Sequence, residues 1–223
     1  MDSGNVDALV GIGIVDASIA SSFMSDDPAP LLAAAEANLA KALALAPNHA
    51  LAHRGLGMVF GRTKRVPRAI EEFERALAID PNLARARASL GISLAFAGRA
   101  EETEAHVLEA LRLSPRDPTS YVWFLHIGGA KAYLAEYEAA AAWLRKSIDA
   151  NRNNAVPFFY LAACLAHLRR LDEARAEAKA GLAIDPKFTV ARFRASIQSV
   201  DALFLAQRER LIEGMQIAGV PEG

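Results

Sequence analysis

Residues 73–81 read Phe-Glu-Arg-Ala-Leu-Ala-Ile-Asp-Pro, and this stretch decides the fold because close copies of it recur along the chain. Residues 39–47 and 178–186 have the same order of small and aliphatic residues before a proline. The position that closes each copy is occupied, in chain order, by Pro47, Pro81, Pro115, Arg152 and Pro186. These positions are 34, 34, 37 and 34 residues apart, and a fixed period of this length is typical of proteins built from stacked repeats.

Two amphipathic helices are predicted within each copy. In the copy over residues 50–83, Leu56, Gly57 and Phe60 lie at i, i+1 and i+4, which places them on one face of a helix. Ala69 and Phe73 follow at i and i+4 on a second helix, and the closing proline cannot continue that helix. A lone helical pair cannot bury its apolar stripe, whereas stacked pairs share a continuous core. The sequence therefore predicts an all-α solenoid.

This pattern resembles the tetratricopeptide repeat (TPR), whose 34-residue unit has a Trp-x2-Leu-Gly-x2-Tyr half followed by Ala, Phe, Ala and a closing Pro. In residues 50–83, His53 occupies the tryptophan position of the repeat. The positions that agree in type are Leu56, Gly57, Phe60, Ala69, Phe73, Ala76 and Pro81. Further copies extend the resemblance over roughly residues 5–188. It implies a right-handed α-solenoid of helix–turn–helix repeats with a C-terminal capping helix.

We expect a single TPR solenoid over residues 1–223. Its predicted repeats are 5–49, 50–83, 84–117, 118–154 and 155–188, and its capping segment is 189–223. Residues 208–223 also resemble the tail of TPR regions that follow class III adenylate/guanylate cyclase domains in bacterial proteins. No cyclase catalytic segment is present in the sequence. This second resemblance therefore implies an alternative function, as the regulatory or oligomerising region of a larger bacterial signalling protein.

The composition argues against several classes of function. The 25 Lys and Arg residues balance 26 Asp and Glu residues, and a chain without a basic field is not expected to bind nucleic acid. The apolar stretch 8–15 is too short to span a bilayer, so we expect no membrane segment. The single cysteine excludes an internal disulfide and favours a reducing compartment, which predicts a cytoplasmic location.

No group of residues in the sequence points to catalysis. Residues 11–13 (Gly-Ile-Gly) lack the preceding strand and the further residues of a phosphate-binding loop. Cys164 and His167 lie at i and i+3 on one helix but lack the two further ligands of a closed metal site. Glu71 and Glu72 lie near a helix start, where negative charge stabilises the helix. We therefore expect a protein that is not an enzyme, with no catalytic residues, cofactor or metal.

The TPR resemblance places candidate binding residues on the first helix of each pair, which lines the concave groove of such proteins. Certain positions of these first helices usually contact the ligand in TPR proteins. The residues at those positions of this chain, called here the candidate groove residues, are Leu51, Arg54, Met58, Arg62, Arg85, Ile92, Phe96, Leu125, Tyr133, Phe159 and His167. The Lys and Asn cluster by which some TPR proteins clamp a terminal carboxylate is absent, and three arginines are the only cations at these positions.

The groove is therefore expected to bind a protein or peptide segment that is apolar or amphipathic and has acidic flanks. This would make the chain a non-catalytic protein–protein interaction module. Two alternatives stay open from the sequence, in which the wall is partly filled by an extra helix of the protein itself or by a twin subunit. A homo-oligomer is also an option, because exposed apolar faces at the ends of a solenoid can pair.

Overall fold

The computed structural model describes residues 5–21, 27–197 and 199–223. Residues 1–4, 22–26 and 198 of the predicted domain lie outside this described part. Within it, the chain forms twelve α-helices and no β-strand. The helices are α1 (Val6–Ser21), α2 (Ala29–Leu45), α3 (Ala50–Arg62), α4 (Val66–Ile79), α5 (Ala84–Phe96), α6 (Thr103–Leu113), α7 (Ser120–Tyr133), α8 (Tyr137–Ala150), α9 (Val156–His167), α10 (Leu171–Ile184), α11 (Val190–Ala195) and α12 (Ala202–Ile217).

The helices from α1 to α10 form five consecutive pairs, and the short α11 and the longer α12 follow them. The two helices of each pair pack on each other, and each pair packs on the next. One pair lies within each of the five predicted repeats. The prediction of an all-α solenoid is confirmed, whereas a single domain over residues 1–223 stays a prediction.

Small residues let the two helices of a pair approach each other closely. A Cβ atom added at Gly57 in α3 would lie 2.6 Å from the Phe73 ring in α4. A Cβ atom added at Gly128 in α7 would lie 2.8 Å from the Leu144 side chain in α8. Phe73 and Leu144 are both buried. The first helix of each of these pairs thus supplies a small residue, and the second helix fills the space with a large one.

The turn inside four of the pairs contains one residue with a left-handed backbone. The residues with φ angles of 62°, 79°, 62° and 62° are, in chain order, Lys64, Gly98, Ala135 and Arg169. In the first turn, the amide of Arg65 donates a hydrogen bond to the carbonyl oxygen of Phe60 at 2.9 Å, which is a common way for a helix to end. The left-handed residues are 34, 37 and 34 residues apart, so the turns follow the same period as the closing prolines.

The C-terminal segment turns back onto the solenoid. The helix α11 has only six residues, and α12 begins at Ala202. Asp201 caps α12, because its Oδ1 atom accepts a hydrogen bond from the amide of Phe204 at 2.8 Å. α12 packs on α9 and α7, which are the first helices of the last two pairs. The predicted capping helix therefore closes the fold from the side of the first helices.

Candidate functional site

The first helices of four pairs form one wall of the solenoid. α3 contacts α5, α5 contacts α7, and α7 contacts α9. The second helix of each pair packs on its own first helix and on the first helix of the next pair. This wall corresponds to the predicted concave groove, and two neighbouring cavities lie along it.

The larger cavity, called here the central cavity, has a volume of about 430 Å³ and lies mainly between α3, α5 and α7. Gly61 and Gly129 line it without a side chain, and a Cβ atom added at Gly61 would meet nothing nearer than 4.0 Å. Most of the other lining residues are apolar or aromatic, among them Met58, Ile92, Phe96, Val122, Leu125 and Tyr133. A mainly apolar cavity of this size can receive apolar side chains of a ligand.

One arginine lines the central cavity. Arg62, the last residue of α3, is partly buried and has no hydrogen-bond or ion-pair partner among the described residues. Burial lowers the pKa of its guanidinium, but arginine keeps its charge in proteins. No aspartate or glutamate is among the described residues that line the cavity. Arg62 can therefore pair with an acidic group of a ligand.

Neutral hydrogen-bonding groups complete the central cavity. Burial lowers the pKa of His126 to about 4, so its imidazole is neutral at pH 7, and its buried Nδ1 atom has no partner in the described part of the chain. The Tyr133 and Tyr160 hydroxyl oxygens lie 2.9 Å apart, and burial raises the pKa of both groups. The cavity thus combines apolar surface with one cation and a few neutral polar atoms.

The smaller cavity, called here the edge cavity, has a volume of about 380 Å³ and lies beside the first turns of α3 and α5. It is more polar than the central cavity because two arginines and two neutral polar side chains line it. Its described lining, which includes no acidic residue, consists of Leu51, Arg54, Asn82, Leu83, Ala84, Arg85, Leu113 and Ser114.

The two arginines of the edge cavity differ in their partners. Nε of Arg85 donates a hydrogen bond to Oδ2 of the buried Asp117 at 2.9 Å. Burial disfavours the ionised carboxylate, but hydrogen bonds from Arg85 and Thr119 outweigh burial and lower the pKa of Asp117. Arg54 has a buried Nε atom that lacks any partner among the described residues. Burial lowers the pKa of Arg54 and the charge of Arg85 lowers it further, whereas the charge of Asp117 opposes this shift.

The helix α12 covers the part of the wall that α9 forms. A Cβ atom added at Gly214 would lie 2.6 Å from the carbonyl oxygen of Ala163 in α9. One turn along α9, Nε2 of His167 lies 2.7 Å from the carbonyl oxygen of Arg210. Residues 163 and 167 therefore face residues 214 and 210, which means that α12 lies lengthwise along α9 in the antiparallel direction. An extra helix of the protein itself thus fills part of the wall, as one of the alternatives predicted.

Phe204 of α12 lies at the boundary between the covered and the open wall. Its ring contacts the rings of Phe96 and Tyr133 edge to face, with both centroid distances at 5.3 Å. Phe96 and Tyr133 also line the central cavity. The start of α12 therefore supports the residues at one end of this cavity.

Comparison with known proteins agrees with this architecture. A family model described as a tetratricopeptide repeat matches residues 32–84. The solved structure of TTC0263, a thermophilic TPR protein in Thermus thermophilus, matches with a TM-score of 0.64 and 19% identity over 95% of this chain and 99% of that one. The chain therefore contains a tetratricopeptide repeat match and has the TPR fold.

Two other solved structures share the fold of this chain. PilF of Pseudomonas aeruginosa matches with a TM-score of 0.66 and 24% identity over 96% of this chain and 86% of that one. PilW, a widely conserved type IV pilus biogenesis factor, matches with a TM-score of 0.69 and 22% identity over 93% of this chain and 89% of that one. At such low identities the likeness establishes the fold alone. No curated protein sequence matches the chain.

The structure places most of the candidate groove residues at the two cavities. Those at the central cavity are Met58, Arg62, Ile92, Phe96, Leu125 and Tyr133. Those at the edge cavity are Leu51, Arg54 and Arg85.

Phe159 and His167 are corrections to the candidate set. Phe159 is fully buried, because its ring stacks on Phe188 at 3.7 Å and occupies the space that Gly181 leaves free. His167 contacts α12 through Arg210 and stacks on Tyr137 at 4.5 Å. Neither side chain therefore belongs to the open wall.

Sequence reasoning missed His126 as a cavity residue. No second titratable residue that would define a site lies close to His126 in the sequence. His126 directly follows Leu125, a candidate groove residue on the same first helix, and this position indicates that it lies near the cavity. A buried histidine that remains neutral contributes a hydrogen-bonding atom rather than a charge.

The TPR fold and the TPR neighbours indicate a protein–protein interaction module. None of the described helices combines the length and the hydropathy that crossing a bilayer requires.

Proposed function

We propose that this TPR protein is a non-catalytic module that binds a peptide or helical segment of a partner protein in the groove formed by the central and edge cavities. The central cavity carries this proposal, because it is open, mainly apolar and lined from three consecutive first helices. Stacked helical pairs hold these residues in place before a ligand arrives, so binding costs little ordering entropy. The flexible side chain of Met58 can adapt to the shape of the ligand.

The chemistry of the groove supports an apolar or amphipathic segment with acidic flanks. Ile92 and Leu125 are only partly buried, and an apolar side chain of the partner would remove them from water. Arg54 and Arg62 favour acidic residues beside that apolar side chain. We place this function in the cytoplasm, and the single, free Cys164 supports that location.

A substitution that fills the central cavity tests the proposal. Gly61→Leu adds a side chain to the lining at a position where a Cβ atom meets nothing nearer than 4.0 Å. The probe is a fluorescent 15-residue peptide that has been selected on the parent protein from a random display library. We expect Gly61→Leu to weaken its binding by about 10-fold or more, measured by fluorescence anisotropy.

Gly11→Leu is the matched control for this experiment. Gly11 is also a helical glycine with open space around it, but it lies in α1 and lines neither cavity. Binding by Gly11→Leu should equal that of the parent. Equal binding by all three proteins, or failure to select any peptide, would remove the central cavity from the function.

A second candidate function, oligomerisation, is favoured by the outer face of α1. Ile12 and Val15 are 42% and 54% exposed, so two large apolar side chains of α1 remain in contact with water. A second copy of the chain could cover this face, as expected of an oligomerising region in a larger bacterial signalling protein. Light scattering should then show a dimer that Val15→Lys converts to a monomer. A parent protein that stays monomeric up to its solubility limit would contradict this candidate.

A further inference from the structure

The groove contains two cations that form no hydrogen bond or ion pair with the described part of the chain, and both belong to α3. The charge of Asp117 acts on Arg54, but Asp117 is already paired with Arg85. Arg54 lines the edge cavity, and Arg62 lines the central cavity. Neither side chain has a hydrogen-bond or ion-pair partner among the described residues, and Nε of Arg54 is also buried. A partly buried charge without a partner is unfavourable. Both positions therefore favour the binding of an acidic group.

Arg85, the third candidate cation, is already paired. Its Nε and one terminal nitrogen contact the two carboxylate oxygens of Asp117 at 2.9 and 3.4 Å. The Asp117 side chain is only 7% exposed, so this partner is held within the fold. An acidic ligand would gain less from Arg85 than from the two unpaired arginines.

The spacing of the unpaired arginines defines a pattern that a ligand can match. Arg54 and Arg62 are eight residues apart on α3, and Met58 lies midway between them. Because a helix rises by about 1.5 Å per residue, their backbones are about 12 Å apart along the axis. Acidic residues seven or eight positions apart in a second helix span about the same distance, and those seven apart share one face.

The protein's own α12 shows how a helix lies on this wall. Gly214 and Arg210, four residues apart on α12, face Ala163 and His167, four residues apart on α9. The two helices therefore run lengthwise along each other. The open wall continues beyond α12 into the central cavity, whose lining includes both Phe96, a contact of Phe204, and Arg62 on α3. A partner helix with the same orientation relative to α3 would face Arg54, Met58 and Arg62 on successive turns.

We infer that the partner segment is an α-helix that lies lengthwise along α3. Its acidic residues, seven or eight positions apart, pair with Arg54 and Arg62, and an apolar residue between them packs on Met58. This inference rests on the proposed function, because it specifies the ligand of the same groove.

Three alanine-rich helical peptides of about 18 residues serve as probes. The first carries two glutamates seven positions apart with leucines between them on the same face. The second has glutamine in place of both glutamates, and the third has its glutamates only four positions apart. We expect the first peptide to bind the parent protein about 10-fold more tightly than either of the others, measured by fluorescence anisotropy.

The protein variants assign this preference to the two arginines. The preference is the ratio of the affinities for the first peptide and the glutamine peptide. Arg54→Gln and Arg62→Gln should each reduce this ratio by about 3-fold or more, while binding of the glutamine peptide stays unchanged. Arg112→Gln is the matched control, because Arg112 is an exposed arginine of α6 that pairs with Glu109 and lines neither cavity. This control should bind all three peptides as the parent does.

Equal binding of the glutamate and glutamine peptides by the parent protein would overturn the inference. A preference for the first peptide that persists in the double variant Arg54→Gln/Arg62→Gln would overturn it as well. If the glutamine peptide binds and Gly61→Leu blocks it, the proposed function stands and only the acidic pattern fails. If none of the three helices binds, the inference of a helical partner fails, and the peptide selected from the display library decides the proposed function independently.

Discussion

Replacement of Phe204 with alanine is expected to lower the free energy of unfolding by about 3–5 kcal/mol, the usual range for a large aromatic residue in a core. Phe204 is 1% exposed, and its ring lies 5.3 Å from the ring centroids of both Phe96 and Tyr133. Truncation would leave a cavity between the start of α12 and the first helices α5 and α7. Urea unfolding followed by circular dichroism measures the loss.

The neighbouring residue provides the control for this prediction. Leu203 is 54% exposed, so Leu203→Ala should change the free energy of unfolding by about 0.5 kcal/mol or less. A similar effect of the two substitutions would show that α12 is not anchored to the wall through Phe204. Such a result would also mean that the boundary of the central cavity lies elsewhere.

Replacement of His53 with leucine is expected to cost about 3–5 kcal/mol of stability, because it removes one partner of a buried polar pair. Nδ1 of His53 lies 2.6 Å from Oε2 of Glu72, and Nε2 lies 2.9 Å from the carbonyl oxygen of Pro47. Glu72 is 6% exposed, and it would retain only its contact with Arg75. The measurement is again the urea midpoint, converted to a free energy of unfolding with the slope of the transition.

A double variant separates the loss of this pair from a simple packing defect. In His53→Leu/Glu72→Leu no carboxylate remains buried, so most of the stability lost in the single variant should return. If the double variant is as unstable as the sum of the two single variants, the two side chains do not act as a pair. His53 would then stabilise the repeat through its contact with Pro47 and through packing alone.

The repeats could be predicted from the sequence because the interactions that define them are local. Gly57 and Phe73 pack on each other within one 34-residue unit, and their spacing alone places them on the facing stripes of two helices. The positions that line the groove recur at the same places in each repeat, so they can be counted along each first helix. For this reason Met58, Ile92 and Leu125, which were chosen from the sequence, line the central cavity.

The charges of the groove could not be predicted in the same way. Arg54 and Arg85 are equivalent as sequence candidates, but only Arg85 pairs with an acidic residue, Asp117, which is 32 positions away. Arg65 likewise pairs with Glu36, 29 positions away, through two hydrogen bonds. Arg65 and Glu36 belong to neighbouring repeats, and Arg85 and Asp117 lie at opposite ends of the repeat 84–117. Both pairs form only once the helices have packed, so the spacing of apolar residues contains no information about them.

By itself, the sequence determined the helical pairs, their period and the mainly apolar character of the wall, because each depends on residues a few turns apart. Only the tertiary structure decided where α12 lies. Phe204, Leu211 and Met215 of α12 are buried, but an apolar stripe on a helix does not specify the surface that covers it. Gly214 packs closely on the backbone of Ala163, so α12 lies on α9. This long-range packing determines which part of the groove remains open to a partner.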